Sequence, residues 1–109
     1  MENENKLGNA VDADGDLATI DPNSAKGINI SGWQDYFVKG IPDQAIEKFS
    51  KAIGIEPNYA AAYNNRAIVY GSIGDKEKAS AEYTKAHELA PDNVIITGNY
   101  NTFHSKRVL

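Results

Sequence analysis

The chain has 109 residues, of which 41% are apolar and 24% charged, close to ordinary globular usage and enough for one domain with a small core. It contains no cysteine, which excludes disulfides, thiolate metal sites and a cysteine nucleophile. The formal charge of −4 is uneven: residues 1–24 hold six acids and one base, while residues 25–109 hold nine acids and ten bases, so neither part forms the basic stripe that a nucleic acid needs.

No apolar run approaches the roughly 18 residues of a membrane span. The N-terminus lacks the basic and apolar blocks of a signal peptide, so the cytoplasm is the expected compartment. Residues 1–24 have too few apolar side chains to offset the entropy of ordering them and are expected to form an acidic, disordered arm. Within it, Lys6-Leu7-Gly8-Asn9-Ala10 looks like the start of a helix, and Ile20-Asp21-Pro22-Asn23 like a closing turn. The helix between them is missing, as in a decayed unit or a chance likeness. Asp12-Ala13-Asp14-Gly15-Asp16 resembles the first half of a calcium loop, but Leu17 and Asn23 stand where glycine and a bidentate glutamate are required. A solvated acidic arm is the reading we take.

Next comes a glycine-containing stretch. Gly27 and Gly32 each weaken a helix by about 1 kcal/mol, and Ser31 with Gln34 forms a capping-box pattern. A short helix is therefore predicted from Gly32 to Lys39, with residues 25–30 extended and Trp33 near the helix entrance. Pro42 suits a first helical turn. Ala45, Phe49 and Ala52 form a buried stripe, Glu47 and Lys51 a favourable i,i+4 pair, and Pro57 a stop. From Ala60 to Ser72, Tyr63, Ala67 and Tyr70 share one helical face; Asn58 is the expected N-cap and Gly74 the C-terminal stop. Asp75 then caps Lys76–Leu89, with Ala79, Tyr83 and Ala86 as its buried stripe and Pro91 as its stop. Ile96, Tyr100 and Phe103 recur at helical spacing, so a last helix is predicted over 94–109 despite Gly98, Asn99, Asn101 and Thr102. Lys106 and Arg107 would suit its last turn.

The chain also matches itself at one fixed offset. That offset pairs Tyr36 with Tyr70, Gly40 with Gly74, Ala45 with Ala79, Phe49 with Tyr83, Ala52 with Ala86 and Pro57 with Pro91. Tyr63-x2-Arg66-Ala67-x2-Tyr70…Ala79-x3-Tyr83…Pro91 resembles the tetratricopeptide repeat signature, with Arg66 where that family often has leucine. The offset itself equals the family's period. The preceding unit reads Asn29-x2-Gly32-Trp33-x2-Tyr36…Ala45-x3-Phe49…Pro57. Its second helix matches; its first places Trp33 where the family needs a small residue. The resemblance covers residues 26–93. It implies an all-α solenoid of two helix-turn-helix units, about 26–59 and 60–93 within a body of 25–93, followed by a capping helix and tail at 94–109.

The family resemblance further implies a protein–protein interaction module, an adaptor or scaffold that holds a protein or peptide on its concave face. The expected contacts are Ala61, Asn64, Asn65 and Ile68, with Gln34 from the first unit. Asn64 and Asn65 offer amides that can read a peptide backbone. Asn65 also matches the asparagine of the clamp with which some family members hold the C-terminal carboxylate of heat-shock chaperones. Ile30, Gln34, Ile95 and Asn99 stand where that clamp has its other residues, mostly cations, so a chaperone clamp is not expected. The alternative is an assembly role, as a homo-oligomer or in a larger complex, through Trp33 at one end of the stack and Ile96, Tyr100 and Phe103 at the other. His87 and His104 are read as structural, and no metal site, cofactor, catalytic residue or enzymatic activity is expected.

Overall fold

The structure is a computed structural model that describes the backbone of residues 19–108 and the side chains of residues 19–105. Among the described residues it consists of five helices and no strand: α1 Ala25–Phe37, α2 Pro42–Ile55, α3 Ala60–Ser72, α4 Lys76–Leu89 and α5 Val94–Val108. The helices pack as antiparallel hairpins, α1 with α2 and α3 with α4, and α5 lies against α4. First helices also touch one another, α1 with α3 and α3 with α5, as stacking of successive hairpins requires. The fold is the all-α solenoid that the repeat predicts.

Local chemistry sets the helix ends. Asp75 Oδ1 accepts from Lys78 N at 3.2 Å, capping α4 as expected. Pro42 occupies the first turn of α2, where its missing N–H has no intrahelical role. Gly40 and Gly74 have φ of 70° and 91°, the left-handed conformation that closes a helix C-terminus. Asn58 is exposed and does not cap α3; the N-cap is Tyr59, which makes no side-chain capping bond.

The first helix corrects the sequence reading. It spans Ala25–Phe37, not Gly32–Lys39, and residues 25–30 are helical rather than extended. Its cap is Ser24, whose Oγ accepts from Gly27 N at 3.1 Å, so Ser31 is not a cap. The two glycines that argue against a helix on propensity are required by close approach. A Cβ at Gly32 would lie 2.8 Å from Phe49 Cε1, and one at Gly27 would run into the Asp21 carbonyl and lie 2.7 Å from Pro22 Cα. Tertiary contact thus outweighs about 1 kcal/mol of propensity per glycine.

The repeat register also changes within the first hairpin. The α2 and α4 helices begin at Pro42 and Lys76, in step with the pairing of Gly40 with Gly74. The α1 and α3 helices begin at Ala25 and Ala60, one residue farther apart. The additional residue lies in the turn. Ile41 N donates to Asp35 O at 2.8 Å across the first turn, one residue farther than Asp75 N to Tyr70 O at 2.9 Å across the second. Gly32 therefore occupies the place of Ala67, and small residue meets small residue; Trp33 occupies the place of Ile68. Trp33 does not stand at the helix entrance. It sits half-buried in mid-helix, packed against Ile30 and against the cluster of Ala45, Phe49 and Val69.

Residues 19–24 belong to the fold and not to the arm. Ile20 packs against Ile30, as Trp33 does, and Asp21 organises the turn, accepting Asn23 N at 2.9 Å on Oδ1 and Ser24 N at 3.1 Å on its carbonyl. The remainder of the arm, including Lys6–Ala10 and the Asp12–Asp16 motif, lies outside the described residues.

A polar bridge ties each hairpin, with opposite polarity in the two. In the first, Lys48 of α2 holds the buried Asp35 of α1 at 2.8 Å and donates to Ser31 Oγ at 2.7 Å. In the second, Glu82 of α4 accepts from Arg66 of α3, Nε at 2.7 Å and Nη2 at 2.9 Å. Ser31 and Arg66 are equivalent in the lengthened register of the first helices, as Lys48 and Glu82 are in the unchanged register of the second helices.

Candidate functional site

The first helices α1, α3 and α5 lie side by side, and their shared face is the candidate site. On α3, Ala67 packs with Ala79 and Tyr83 of α4, with Ile68 at the edge of that cluster; Asn64 and Asn65 turn toward the neighbouring first helices, and Ala61 packs beside Ala25 and Ile28 of α1. Ala61 and Ile68 are half-buried. The register assigns Trp33 of α1 to this stripe and puts Gln34, which is exposed, at the place of Val69. Gln34 is thus displaced from the predicted group by the additional turn residue, and Trp33 takes its position.

Asn64 and Asn65 have no solvent-accessible surface. They form the seam between units. Asn65 Nδ2 donates to Asn29 Oδ1 of α1 at 3.1 Å, and Asn99 Nδ2 of α5 donates to Asn64 Oδ1 at 3.2 Å. Asn29 and Asn64 are equivalent residues, and so are Asn65 and Asn99, so one amide contact repeats along the stack. The two asparagines predicted to face a ligand are therefore buried between helices, where they join α3 to α1 and α5. Asn64 Nδ2 is buried with no acceptor among the described residues, and an unmet buried donor costs about 1–3 kcal/mol. Sequence reading singles out Asn64 and Asn65 but misses Asn29, because the offset that pairs Tyr36 with Tyr70 sets Asn29 against Tyr63.

The residues predicted for assembly at the C-terminal end pack within the chain, Tyr100 and Phe103 keeping partial exposure. Ile96 is buried, and Tyr100 and Phe103 pack on Ala67, Ala79 and Tyr83, with Phe103 and Tyr83 rings 5.0 Å apart. Both histidines serve this junction. His87 stacks on Tyr100 at 4.5 Å and its Nδ1 lies 3.2 Å from Thr97 Oγ1. His104 Nδ1 donates to the Tyr100 carbonyl at 2.8 Å while Nε2 meets Ser80 Oγ at 2.9 Å. Large apolar side chains stay open at the first turn, where Phe37, Val38 and Ile41 are exposed and the Phe37 ring meets those of Trp33 and Tyr36, and also at Ile55, Ile73, Val94 and Ile95. Burial pushes the Tyr83 phenol above the ordinary tyrosine value, and the nearby Tyr36 phenol adds to that rise. Among the described residues no three histidine or carboxylate side chains converge on a metal position, and no helix is long and apolar enough to cross a membrane.

Stacked antiparallel helix hairpins with small residues at the close approaches define a helical repeat protein of the interaction-module class. The models of two families match it: TPR repeat over residues 34–74 and tetratricopeptide repeat over residues 60–93. The chain belongs to the tetratricopeptide repeat family. It is similar to serine/threonine-protein phosphatase T of Trypanosoma brucei brucei, 40% identical over 49% of this chain and 11% of that protein. It is 46% identical to tetratricopeptide repeat protein 36 of Caenorhabditis elegans over 44% of this chain and 27% of that protein. With the UDP-N-acetylglucosamine–peptide N-acetylglucosaminyltransferase of Giardia intestinalis it shares 32% identity over 61% of this chain and 4% of that protein. The matched segments thus span about a quarter of these relatives' lengths or less. Tetratricopeptide repeats are modules of protein–protein interaction, and this chain is one.

Proposed function

We propose that the chain binds a partner polypeptide along the face shared by α1, α3 and α5, and acts as a non-catalytic adaptor. The observation that carries this reading is the half-buried apolar surface of Ala61 and Ile68 on α3 in a chain of tetratricopeptide repeats. Trp33, also half-buried, occupies the place on α1 that matches Ile68. A peptide laid along the face sets an apolar side chain against Ile68 and Trp33. Two of the relatives are enzymes by name and match only over short segments, which accords with a recognition module carried beside a catalytic one.

The test is selection of peptides from a random library on the intact chain, followed by titration against Ile68→Glu. We expect at least a tenfold loss of affinity with an unchanged melting temperature. Retained affinity would place the contact elsewhere. A second reading, self-association, rests on the exposure of Phe37, Val38 and Ile41 beside Trp33. Light scattering across concentrations separates the two, since Val38→Glu abolishes an oligomer built on that turn and leaves groove binding intact.

A further inference from the structure

Arg66 departs from the leucine common at its position, and it lies outside the partner face proposed above. Its guanidinium is instead the meeting point of three helices. Nε and Nη2 grip both oxygens of Glu82 on α4, at 2.7 and 2.9 Å, while Nη1 donates to Ser50 Oγ on α2 at 2.9 Å. The guanidinium carbon also lies 5.7 Å from the centroid of the Tyr63 ring, whose hydroxyl is anchored to the Pro57 carbonyl at 2.9 Å. Arg66 is mostly buried and fixed on several sides, whereas Ser50 is exposed on the solvent side of α2. The Ser50 hydroxyl spends its own proton on the Ile46 carbonyl at 2.8 Å, so toward Arg66 it is purely an acceptor. An acceptor position on an exposed serine, facing a guanidinium already held in place, is where a phosphate would gain most. With Nε and Nη2 held by Glu82, the Nη1 that faces Ser50 is the donor left for a phosphate oxygen, in a charge-assisted bond, and here the ordering of the side chain is already done.

We propose that Ser50 is a phosphorylation site and that Arg66 is the group that reads the phosphate, linking the first hairpin to the second. In the modification, Ser50 Oγ attacks the γ-phosphorus of a nucleoside triphosphate bound by a protein kinase. The new Oγ–P bond replaces the P–O bond to the departing nucleoside diphosphate, and the hydroxyl proton passes to the kinase's base. The product adds up to two negative charges beside Arg66. Glu82 lies behind the guanidinium and Glu47 one turn earlier on α2, so without Arg66 the phosphate faces these carboxylates with the adjacent Lys51 as the nearest cation in sequence to offset them, Lys48 being engaged by Asp35. Removing Glu82 leaves Arg66 wholly to the phosphate. The sign of the effect thus depends on which partner is present.

The experiment uses the full chain with phosphoserine installed at position 50 during translation, in the native sequence and in Arg66→Gln and Glu82→Gln backgrounds. Phosphorus NMR titration is expected to give a second phosphate pKa at least half a unit below the ordinary value of about 6 when Arg66 is present, and no such depression in Arg66→Gln. The change in melting temperature on phosphorylation should be most favourable in Glu82→Gln, intermediate in the native sequence and least favourable in Arg66→Gln. Equal phosphate pKa values with and without Arg66 would overturn the reading role, even if a variant is less stable. Incubation of the intact chain with ATP and a kinase that prefers basic surroundings, as Lys48 and Lys51 provide, should place phosphate on Ser50 by peptide mapping. Phosphate elsewhere, or none, would overturn the modification site.

Discussion

The two hairpins follow one plan with different chemistry. In the second, Ala67 and Ala79 let the helices approach, Tyr83 fills the space, and a guanidinium–carboxylate bridge closes the outside. In the first, Gly32 takes the place of the alanine, Phe49 that of the tyrosine, and the bridge runs from Lys48 to Asp35 and Ser31. Smaller residues on α1 allow closer contact: the Phe49 ring sits where a Gly32 side chain would stand, and Phe49 is completely buried. The second hairpin follows the family pattern except at Arg66. The first departs from it by one additional turn residue, and keeps the fold because each departure is matched across the interface.

The largest effect should come from emptying the centre of the first hairpin. Phe49→Ala is expected to cost about 3–5 kcal/mol, enough to unfold much of a chain this small, as read by circular dichroism and melting. Tyr83→Ala should cost less, because Tyr83 keeps some exposure. Equal losses would mean that the two interfaces are packed alike. The next effect tests the register. Gly32→Val should overpack the contact with Phe49 and cost about 1–3 kcal/mol, while Trp33→Ile, which installs the residue of the second hairpin, should cost less. If Gly32→Val melts like the native chain, Gly32 is not at the close approach and the lengthened register fails.

The smallest effect distinguishes Phe49 from its counterpart by pH. The folded Tyr83 has a pKa above its unfolded value, because burial disfavours the phenolate and Tyr36 adds to this. Its contribution to stability is full below about pH 10, the unfolded value, and is lost as pH rises through the folded value. Tyr83→Phe should therefore flatten the alkaline loss of stability without moving the neutral-pH melting temperature by more than a few degrees. An unchanged alkaline limb would assign that loss to other groups.

Most of the fold is legible in the sequence because its signals are local and repeated. Pro42, Pro57 and Pro91, Asp75, and the glycines at 40 and 74 mark element ends by their own backbone chemistry. The stripes Ala45–Phe49–Ala52 and Ala79–Tyr83–Ala86 mark the second helices by size. The first helix is misread because its decisive interactions are not local. Gly27 and Gly32 resemble helix breakers until Asp21, Pro22 and Phe49 are seen against them. An additional residue between Phe37 and Pro42 is hidden when Gly40 and Gly74 still align. The same slip moves Gln34 onto the site and takes Trp33 off it. Asn64 and Asn65 stand out by polarity, but polarity alone does not say whether an amide faces solvent or a neighbouring amide. Their burial depends on Asn29 and Asn99, which lie on other helices and far off along the chain.

The reversed polarity of the two bridges bears on how copies of this chain keep apart. Hairpins of such similar shape invite exchange, in which α1 of one molecule closes on α4 of another, or α3 on α2. The first exchange would set the Asp35 carboxylate against Glu82, and the second would set Arg66 against Lys48. Each wrong pairing brings like charges together at a partly buried position, where such a mismatch disfavours the complex. The correct hairpins alone join opposite charges. A chain made of near-duplicates thus carries its own means of telling its halves apart, which matters most while several copies emerge unfolded in the same place.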